Sequence, residues 1–511
     1  MIEIFSPQQM KKTDEFAINK LGVPSLTLME NSGCCVADEI QRQLTVKNKN
    51  VVVFCGIGNN GGDGFVVARI LQERDAIVTV VMMGKPSAMS EDAKHTFGRL
   101  SKQIRVVQCD DFFKETKIYH VIVDAMFGTS FHGALNGTYF QAAQWINVQK
   151  KATVVAVDIP SGLNGESGEV EAEAVKAHFT VTLSHPKLGF YQRRAKEYTG
   201  NIIVTDIGIP AKASNRVSSN IFLVEESDVK EIIPTRHSNS HKHSVGKIFI
   251  LAGSKGMTGA ALLSSQSAMR SGAGQVILGI PESEYPIVAK RTLEVMPLGL
   301  PSTDEGTLAL GAKKEIEKRI QWADVVLLGC GVSQNKETQQ LVRDVLTTCS
   351  KPIVIDADGL NAIANDNRIL KRWKSKQIVL TPHVGEFSRL SGISSSEIEK
   401  NKFSLAGQFA EQYNVTLVLK GAPTIIATSS RDIFVNPTGN PGMSTAGTGD
   451  VLAGIIASMM GQQLSGMAAA VCGVYLHGKA GDVAAKKIGM HGIIAGDLIK
   501  FLPTIMRTIV Q

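Results

Sequence analysis

Short, mostly apolar runs recur along this chain, and each gives way to a segment with apolar residues at helical spacing. In the first part the runs are Val51–Cys55, Ile77–Met83, Tyr119–Asp124, Thr153–Asp158 and Phe179–Leu183. In the second they are Ile248–Ala252, Gln275–Ile280, Asp324–Leu328, Ile353–Asp356, Ile378–Thr381 and Val415–Leu419. A strand covered on one face alternates apolar and polar residues; a continuous apolar run marks one buried on both faces. Parallel strands also need a crossover connection, usually a helix. The alternation therefore predicts an α/β protein with parallel sheets covered on both faces.

At about 150 residues per domain, 511 residues make more than one domain. The first 50 or so read as helices, one opened by Pro24 with Leu28, Val36, Ile40 and Leu44 on one face. Between about 208 and 245 the pattern lapses into polar sequence around a short apolar patch, which predicts a boundary there. The expected domains are 1–215 and 225–511. In the second, Thr424–Ala427 and Asp432–Val435 read as a hairpin added to the sheet. Apolar helices follow at roughly 446–460, 467–485 and 491–508.

Composition narrows the function. Basic residues number 54 and acidic 47, a net +7 with no long Lys/Arg run, so no nucleic-acid footprint is expected. The stretches 451–460 and 466–476 fall short of the ~20 apolar residues that cross a bilayer, so no membrane partner is expected. The N-terminus lacks a secretory pattern, and seven scattered cysteines without a CxxC pair predict reduced thiols in a cytoplasmic protein. His237, His241 and His243 read as a solvated loop, because no other metal ligands cluster near them in sequence.

Two constellations carry chemistry. The first opens with Gly56-Ile-Gly-Asn-Asn-Gly-Gly-Asp-Gly64, whose first six residues satisfy the dinucleotide fingerprint GxGxxG. That fingerprint expects a carboxylate about 20 residues on to hold a ribose, and Val81-Met-Met-Gly-Lys85 has none. The loop instead carries Asn59, Asn60 and Asp63, polar groups that a bare phosphate turn does not need. Two further strands end in Asp124 and Asp158, the latter followed by Ile-Pro-Ser161. Ligands of parallel sheets bind outside the carboxyl ends of the strands, so Asn60, Asp124, Asp158 and Ser161 are expected to share a crevice.

The second constellation is Gly439-Asn-Pro-Gly-Met-Ser-Thr-Ala-Gly-Thr-Gly-Asp450, running into an apolar helix. The amides of 446–449 at a helix N-terminus suit an oxyanion or phosphate. Asp450 in the first turn suits a general base, the pairing that phosphoryl transfer to a hydroxyl needs. Lys420-Gly-Ala-Pro-Thr424 and Thr381-Pro-His383 follow strands at the same expected edge. Gly329-Cys-Gly331 and Asp356-Ala-Asp-Gly-Leu360 read as tight βα turns and helix caps.

With Met29-Glu-Asn-Ser-Gly, Asp-Ala-Met-Phe-Gly-Thr129 and Asp158-Ile-Pro-Ser-Gly, the first constellation resembles the NAD(P)HX epimerase domain over about residues 5–215. The resemblance implies a Rossmann-like three-layer αβα sandwich. It implies potassium held by Asn60, Asp124 and Ser161, with Asp124 as acid/base. Substrate would be met by Asn59, Asn60, Gly61, Gly62 and Asp63, by Gly128, Thr129, Ser130, Phe131, His132, Gly133 and Ala134, and by Tyr139 and Asp158. With Gly253-Ser-Lys-Gly-Met-Thr-Gly-Ala-Ala and Arg270-Ser-Gly-Ala-Gly, the second is similar to the ribokinase-like α/β fold of the NAD(P)HX dehydratase domain, over about residues 225–508. It implies ADP, or ATP as in eukaryotic relatives, bound with Mg2+ by Lys420, Gly421, Ala422, Pro423 and Thr424. Ser444, Thr445, Ala446, Gly447, Thr448 and Gly449 would complete that site. Substrate would meet Gly331, His383 and Asp450, with Asp450 catalytic.

Together these resemblances imply repair of NADH or NADPH hydrated at C6 of the nicotinamide, by epimerisation of R and S forms and nucleotide-dependent dehydration of the S form. A homo-oligomer binding NADHX or NADPHX and ADP is expected. The competing expectation is a small-molecule kinase of the ribokinase-like class fused to a non-catalytic N-terminal ligand-binding or scaffold domain.

Overall fold

The computed structural model describes residues 1–511 except 115, 116, 237, 239, 240, 243 and 244, so His237 and His243 lie outside the described residues. Beyond Met1 the chain packs as two units, Ile2–Ser219 and Asn220–Gln511.

The N-terminal unit is built on a seven-stranded, all-parallel sheet. Its strands are β1 (Asn50–Cys55), β2 (Ile77–Met82), β3 (Arg105–Gln108), β4 (Val121–Ala125), β5 (Thr153–Val157), β6 (Phe179–Leu183) and β7 (Asn201–Thr205), in the order β3-β2-β1-β4-β5-β6-β7. Alternate strand residues feed two separate cores. Val51, Val53, Val80 and Val123 face the helices Ser25–Gln43 and Asn59–Glu73, while Val52, Phe54, Ile122 and Val154 meet Phe112, Ala142 and Ile146. Both faces are covered, giving the three layers that the apolar runs require. The chain winds outward from β1 to β3 and returns to place β4 on the other side of β1. The strand order thus reverses between β1 and β4, where a crevice opens at the carboxyl ends.

The C-terminal unit carries β8 (Ile221–Leu223), β9 (Lys247–Leu251), β10 (Gln275–Pro281), β11 (Met296–Leu300), β12 (Val325–Leu328), β13 (Ile353–Ile355), β14 (Ile378–Leu380), β15 (Thr416–Leu419), β16 (Ile425–Ala427) and β17 (Ile433–Val435). Their order is β8-β17-β16-β15-β14-β13-β12-β9-β10-β11. The block from β15 to β11 is parallel, and the expected hairpin β16–β17 joins it antiparallel. Thr448–Gly461, Gly466–Ile488 and Ala495–Val510 are the three apolar helices; their side chains share one core with Ile248, Leu278, Leu327 and Val418. Among the described residues no helix is long and apolar enough to cross a membrane.

Of the strands named above, β3, β7, β8 and β11 lie outside the apolar runs. Each is largely exposed or half-buried, with β3, β7 and β11 at sheet edges, so none has the two buried faces that make an apolar run. The apolar patch inside the expected linker belongs to the C-terminal unit. Ile221–Leu223 pairs with Ile433–Val435, and Val224, Val229 and Ile233 are buried in that unit's core.

Candidate functional site

In the N-terminal unit the glycine loop is shorter than the sequence implied, because the helix after β1 already begins at Asn59. Close packing explains the glycines. A Cβ on Gly56 would stand 2.0 Å from Met126 O, and one on Gly61 only 1.9 Å from Gly56 O. The helix start is thereby pressed against the ends of β1 and β4, bringing Asn60 to the crevice.

There the expected residues meet. Asn60 Nδ2 donates to Phe127 O at 2.8 Å. Ser161 Oγ donates to Asp124 Oδ1 at 2.6 Å and accepts from Phe127 N at 3.0 Å. Asp124 Oδ2 accepts from Ser161 N at 2.8 Å, and Oδ1 also accepts from Met126 N at 3.2 Å. A Cβ on Gly128 would lie 3.5 Å from both Asn60 Cγ and Asp158 Oδ2, so that loop borders the same crevice. Asp124 is fully buried, and burial pushes its carboxyl up to about 6 against the pull of its Ser161 and Met126 hydrogen bonds. Among the described residues no cationic side chain pairs with it. A buried carboxylate without a counter-charge, beside the oxygens of Asn60, Phe127 and Ser161, fits a hard monovalent cation.

The outer loop is more open. Ser130 and His132 are exposed, whereas Phe127 packs against Phe131 and Tyr139 with ring centroids 4.8 and 4.5 Å apart. Burial raises the Tyr139 hydroxyl pKa. Asn59 Oδ1 accepts from Ser90 Oγ at 2.8 Å, which ties the helix start to the next helix.

In the C-terminal unit the groups converge at the ends of β12 to β15. Asp450 sits in the first turn of Thr448–Gly461, whose N-cap Gly447 has φ 89°, a left-handed conformation open to glycine. Burial, then repulsion from Asp356, pushes the Asp450 carboxyl up to about 6. Lys420 Nζ donates to Asp356 Oδ1 at 2.8 Å and lies 3.7 Å from Glu386 Oε2. Burial disfavours the Lys420 charge, but Asp356 and Glu386 outweigh it and hold the ammonium protonated. A Cβ on Gly449 would stand 3.4 Å from Lys420 Nζ and 3.7 Å from Asp356 Oδ2, so the amide-lined helix start faces this pair. Cys330 Sγ and the Asp356 and Asp450 carboxylates lie within 4.8 Å of one another. Gly421–Thr424 closes into a turn, with Gly421 N donating to Thr424 Oγ1 at 3.3 Å. Gly331 O accepts from Ser254 Oγ at 2.8 Å.

His383 has a local duty. Its Nδ1 accepts from Gly385 N at 2.9 Å and Glu386 N at 3.3 Å, capping Val384–Ser391. Those donors assign the proton to Nε2. The ring, 55 % exposed, therefore offers a donor rather than a base.

Several site residues escaped the sequence. Asp356, read as a turn or cap, is instead the partner of Lys420. His477 is half-buried, desolvation lowers its pKa to about 4, and its Nε2 meets Thr448 O at 2.9 Å beneath the helix start. Asp482 accepts from Gly439 N at 3.0 Å and Asn440 Nδ2 at 2.9 Å, anchoring the signature loop. Lys187, fully buried, pairs with Asp158. Each is an ordinary helix or turn residue in sequence, with no motif around it.

A family model described as NAD(P)H-hydrate dehydratase matches residues 248–504, and one described as YjeF-related protein N-terminus matches 25–189. The chain is 38% identical over 510 residues to the bifunctional NAD(P)H-hydrate repair enzyme Nnr of Moorella thermoacetica, covering 98% of this chain and 96% of that protein. It is 36% identical over 507 residues to the enzyme of the same name from Thermofilum pendens, covering 98% and 95%. A ribokinase-like superfamily protein from Enterococcus faecalis V583 superposes with a TM-score of 0.51 at 26% identity, covering 57% of this chain and 98% of that one.

Proposed function

The chain belongs to the family of bifunctional NAD(P)H-hydrate repair enzymes, and from that premise we propose how its residues divide the work. The chain is an epimerase and dehydratase of hydrated NADH and NADPH. A kinase that releases a phosphorylated product is not favoured, because the matching model for the C-terminal unit is that of a dehydratase. The proposed catalytic domains, 1–215 and 225–511, fall one in each of the two units Ile2–Ser219 and Asn220–Gln511.

In the epimerase, a carbon bearing a hydroxyl beside the ring nitrogen must lose and regain that bond on the opposite face. The step needs a group that gives and takes a proton. Asp124 is our acid/base, with the Ser161 hydroxyl donating to its Oδ1. Its pKa of about 6 suits both directions near neutrality. Asn60, Asp124 and Ser161 would hold potassium, which when bound supplies the positive charge that offsets the buried carboxylate. The 59–63 helix start, the Gly128–Ala134 loop, Tyr139 and Asp158 form the substrate walls.

In the dehydratase, hydroxide leaves poorly, so phosphorylation precedes elimination. Asp450 takes the proton of the C6 hydroxyl, and the freed oxygen attacks the terminal phosphoryl group of ADP, whose bond to the bridging oxygen breaks to release AMP. The 444–449 amides hold that group's charge, and Lys420–Thr424 binds the remaining phosphate. The ring nitrogen then expels phosphate, and loss of the C5 proton restores the reduced nicotinamide. His383 Nε2 and Gly331 contact the substrate. Mg2+ would sit where Asp356 and Asp450 leave negative charge in surplus over Lys420. Seven unpaired cysteines support a cytoplasmic enzyme.

The observation that carries this reading is the meeting of Asp450, Lys420 and the glycine-rich helix start at one sheet edge. The test is incubation with hydrated NADH and ADP, following absorbance of the reduced nicotinamide. Recovery from the R form as well as the S form is expected. Accumulation of a stable phosphorylated product instead would return the kinase reading.

A further inference from the structure

Lys187 follows β6 in the segment His185-Pro-Lys-Leu, and its side chain is wholly buried. Its Nζ donates to Asp158 Oδ1, to Thr182 Oγ1 at 2.9 Å and to Leu183 O at 3.0 Å, so all three ammonium protons are used. Asp158 is itself unusual. Its φ of 66° is left-handed, a conformation rare outside glycine, asparagine and aspartate. Leu183 N adds a second bond to Oδ1 at 3.3 Å. Oδ2 has no donor among the described residues and faces Gly128. The pair thus has an inner oxygen tied down and an outer oxygen left at the crevice.

A buried ion pair is a poor device for stability, since desolvation offsets its attraction. This one also stands in negative surroundings. Asp14, on the helix Pro7–Leu21, is pushed up to about 6 by burial, and Asp63, on the helix Asn59–Glu73, is raised well above the ordinary range by burial and by Asp158 and Asp14. His185 beside it is lowered to about 4, by burial first and then by Lys187. Lys187 carries a positive charge that faces Asp158 and Asp14 in this group.

We propose that Lys187 is a positioning residue of the epimerase site: its buried ammonium fixes Asp158 Oδ1 so that Oδ2 is presented to the substrate. The proposal rests on reading the N-terminal unit as an epimerase. Lys187 touches no substrate and acts through Asp158 alone.

The test uses the full chain, with R and S epimers separated chromatographically and no nucleotide present. Lys187→Met should slow epimerisation at least tenfold with KM changed less than threefold. The acid limb of its pH profile should move to higher pH, because Asp158 and Asp14 lose the opposing charge of Lys187 while Asp63 still repels both and His185 stays neutral beside them. Lys187→Arg should recover much of the loss. Asp158→Asn and the double variant Lys187→Met/Asp158→Asn should epimerise at equal rates within threefold, a comparison that holds even where Lys187→Met alone folds poorly. Wild-type rates in Lys187→Met, or a double variant multiplicatively slower than Asp158→Asn, overturn the proposal while leaving the epimerase reading intact. A wild-type chain that fails to interconvert the epimers overturns that reading and the proposal with it.

Discussion

Lys420 reaches across the end of β14 to Asp356, with 2.8 Å between Nζ and Oδ1, and Thr381 Oγ1 at the tip of β14 donates to the same oxygen at 2.8 Å. One carboxylate oxygen thus links three strand ends. Burial raises the Asp450 carboxyl most; Asp356 raises it further while Lys420 draws it down, so the pair adjusts the charge at the proposed base. The ammonium also stands beside the helix start that would hold the transferring phosphoryl group.

Lys420→Met should therefore have two effects. Nucleotide affinity should fall at least tenfold by calorimetry, since the phosphates lose a cation. The acid limb of dehydration should move upward in pH, because Asp356 repels Asp450 without opposition. A change in affinity with an unmoved pH profile would confine Lys420 to phosphate binding.

At the other site, Asp124→Asn keeps the shape of the side chain and removes its charge. Epimerisation should disappear while nucleotide-dependent dehydration of the S form continues. Replacing potassium by choline should slow wild-type epimerisation and leave dehydration unchanged, because the proposed ligands Asn60, Asp124 and Ser161 all belong to the N-terminal unit. Normal epimerisation in the variant removes Asp124 from the chemistry.

The two units should be separable if the cut respects β8. Fragments 1–219 and 220–511 should each fold, and each should keep its own activity. A second fragment starting at 236 loses Val224, Val229 and Ile233 from the core. At about 1.5–3 kcal/mol for each fully buried aliphatic side chain, it should be several kcal/mol less stable in urea. Equal stability of the two C-terminal fragments would show that this segment is dispensable.

The fold was legible where burial is two-sided. β1, β4, β5, β9 and β12 announce themselves as apolar runs, and the glycine loops and aspartates at their ends follow. Edge strands such as β3 and β7 carry no such signal, since half their surface is wet. The site was legible where glycine spacing and a carboxylate coincide, as at Asn60 to Asp63 and Gly447 to Asp450. Lys187, Asp356, His477 and Asp482 were not, because each works through a partner 29 to 64 residues away in the chain. Only tertiary pairing identifies them.

Asp482 gives a test of that kind. It holds Gly439 N and Asn440 Nδ2 from the helix Gly466–Ile488, and Asn440 Oδ1 in turn accepts from Gly442 N at 3.0 Å. Asp482→Ala leaves these donors unmet and the loop free to shift. Removing a charged hydrogen-bond partner costs about 1.5–3 kcal/mol. ADP binding should weaken roughly tenfold or more, and the epimerase should be unaffected. Unaltered ADP affinity would mean that the loop is held by its other contacts.

Asp450→Asn separates chemistry from binding. The amides at the helix start remain, so ADP should bind as before. The acceptor of the hydroxyl proton is gone, and loss of a general base typically slows turnover ~10²–10⁴-fold. In the wild type, Asp450 must be ionised to act, so dehydration should fall as pH drops through about 6. Stability runs the opposite way. The folded carboxyl holds its proton more tightly than the ordinary value of 3.8, so the ionised form costs stability above about pH 6. That cost is relieved as pH falls toward about 4, where the unfolded chain also takes up the proton. Asparagine carries no such cost, so the variant should melt no lower than the wild type at pH 7 and lose that advantage near pH 4. Near-normal turnover in Asp450→Asn would reduce this residue to a carboxylate that complements the helix pole. With Nδ1 of His383 already committed to its cap, Asp356 would then be the next candidate base at this edge.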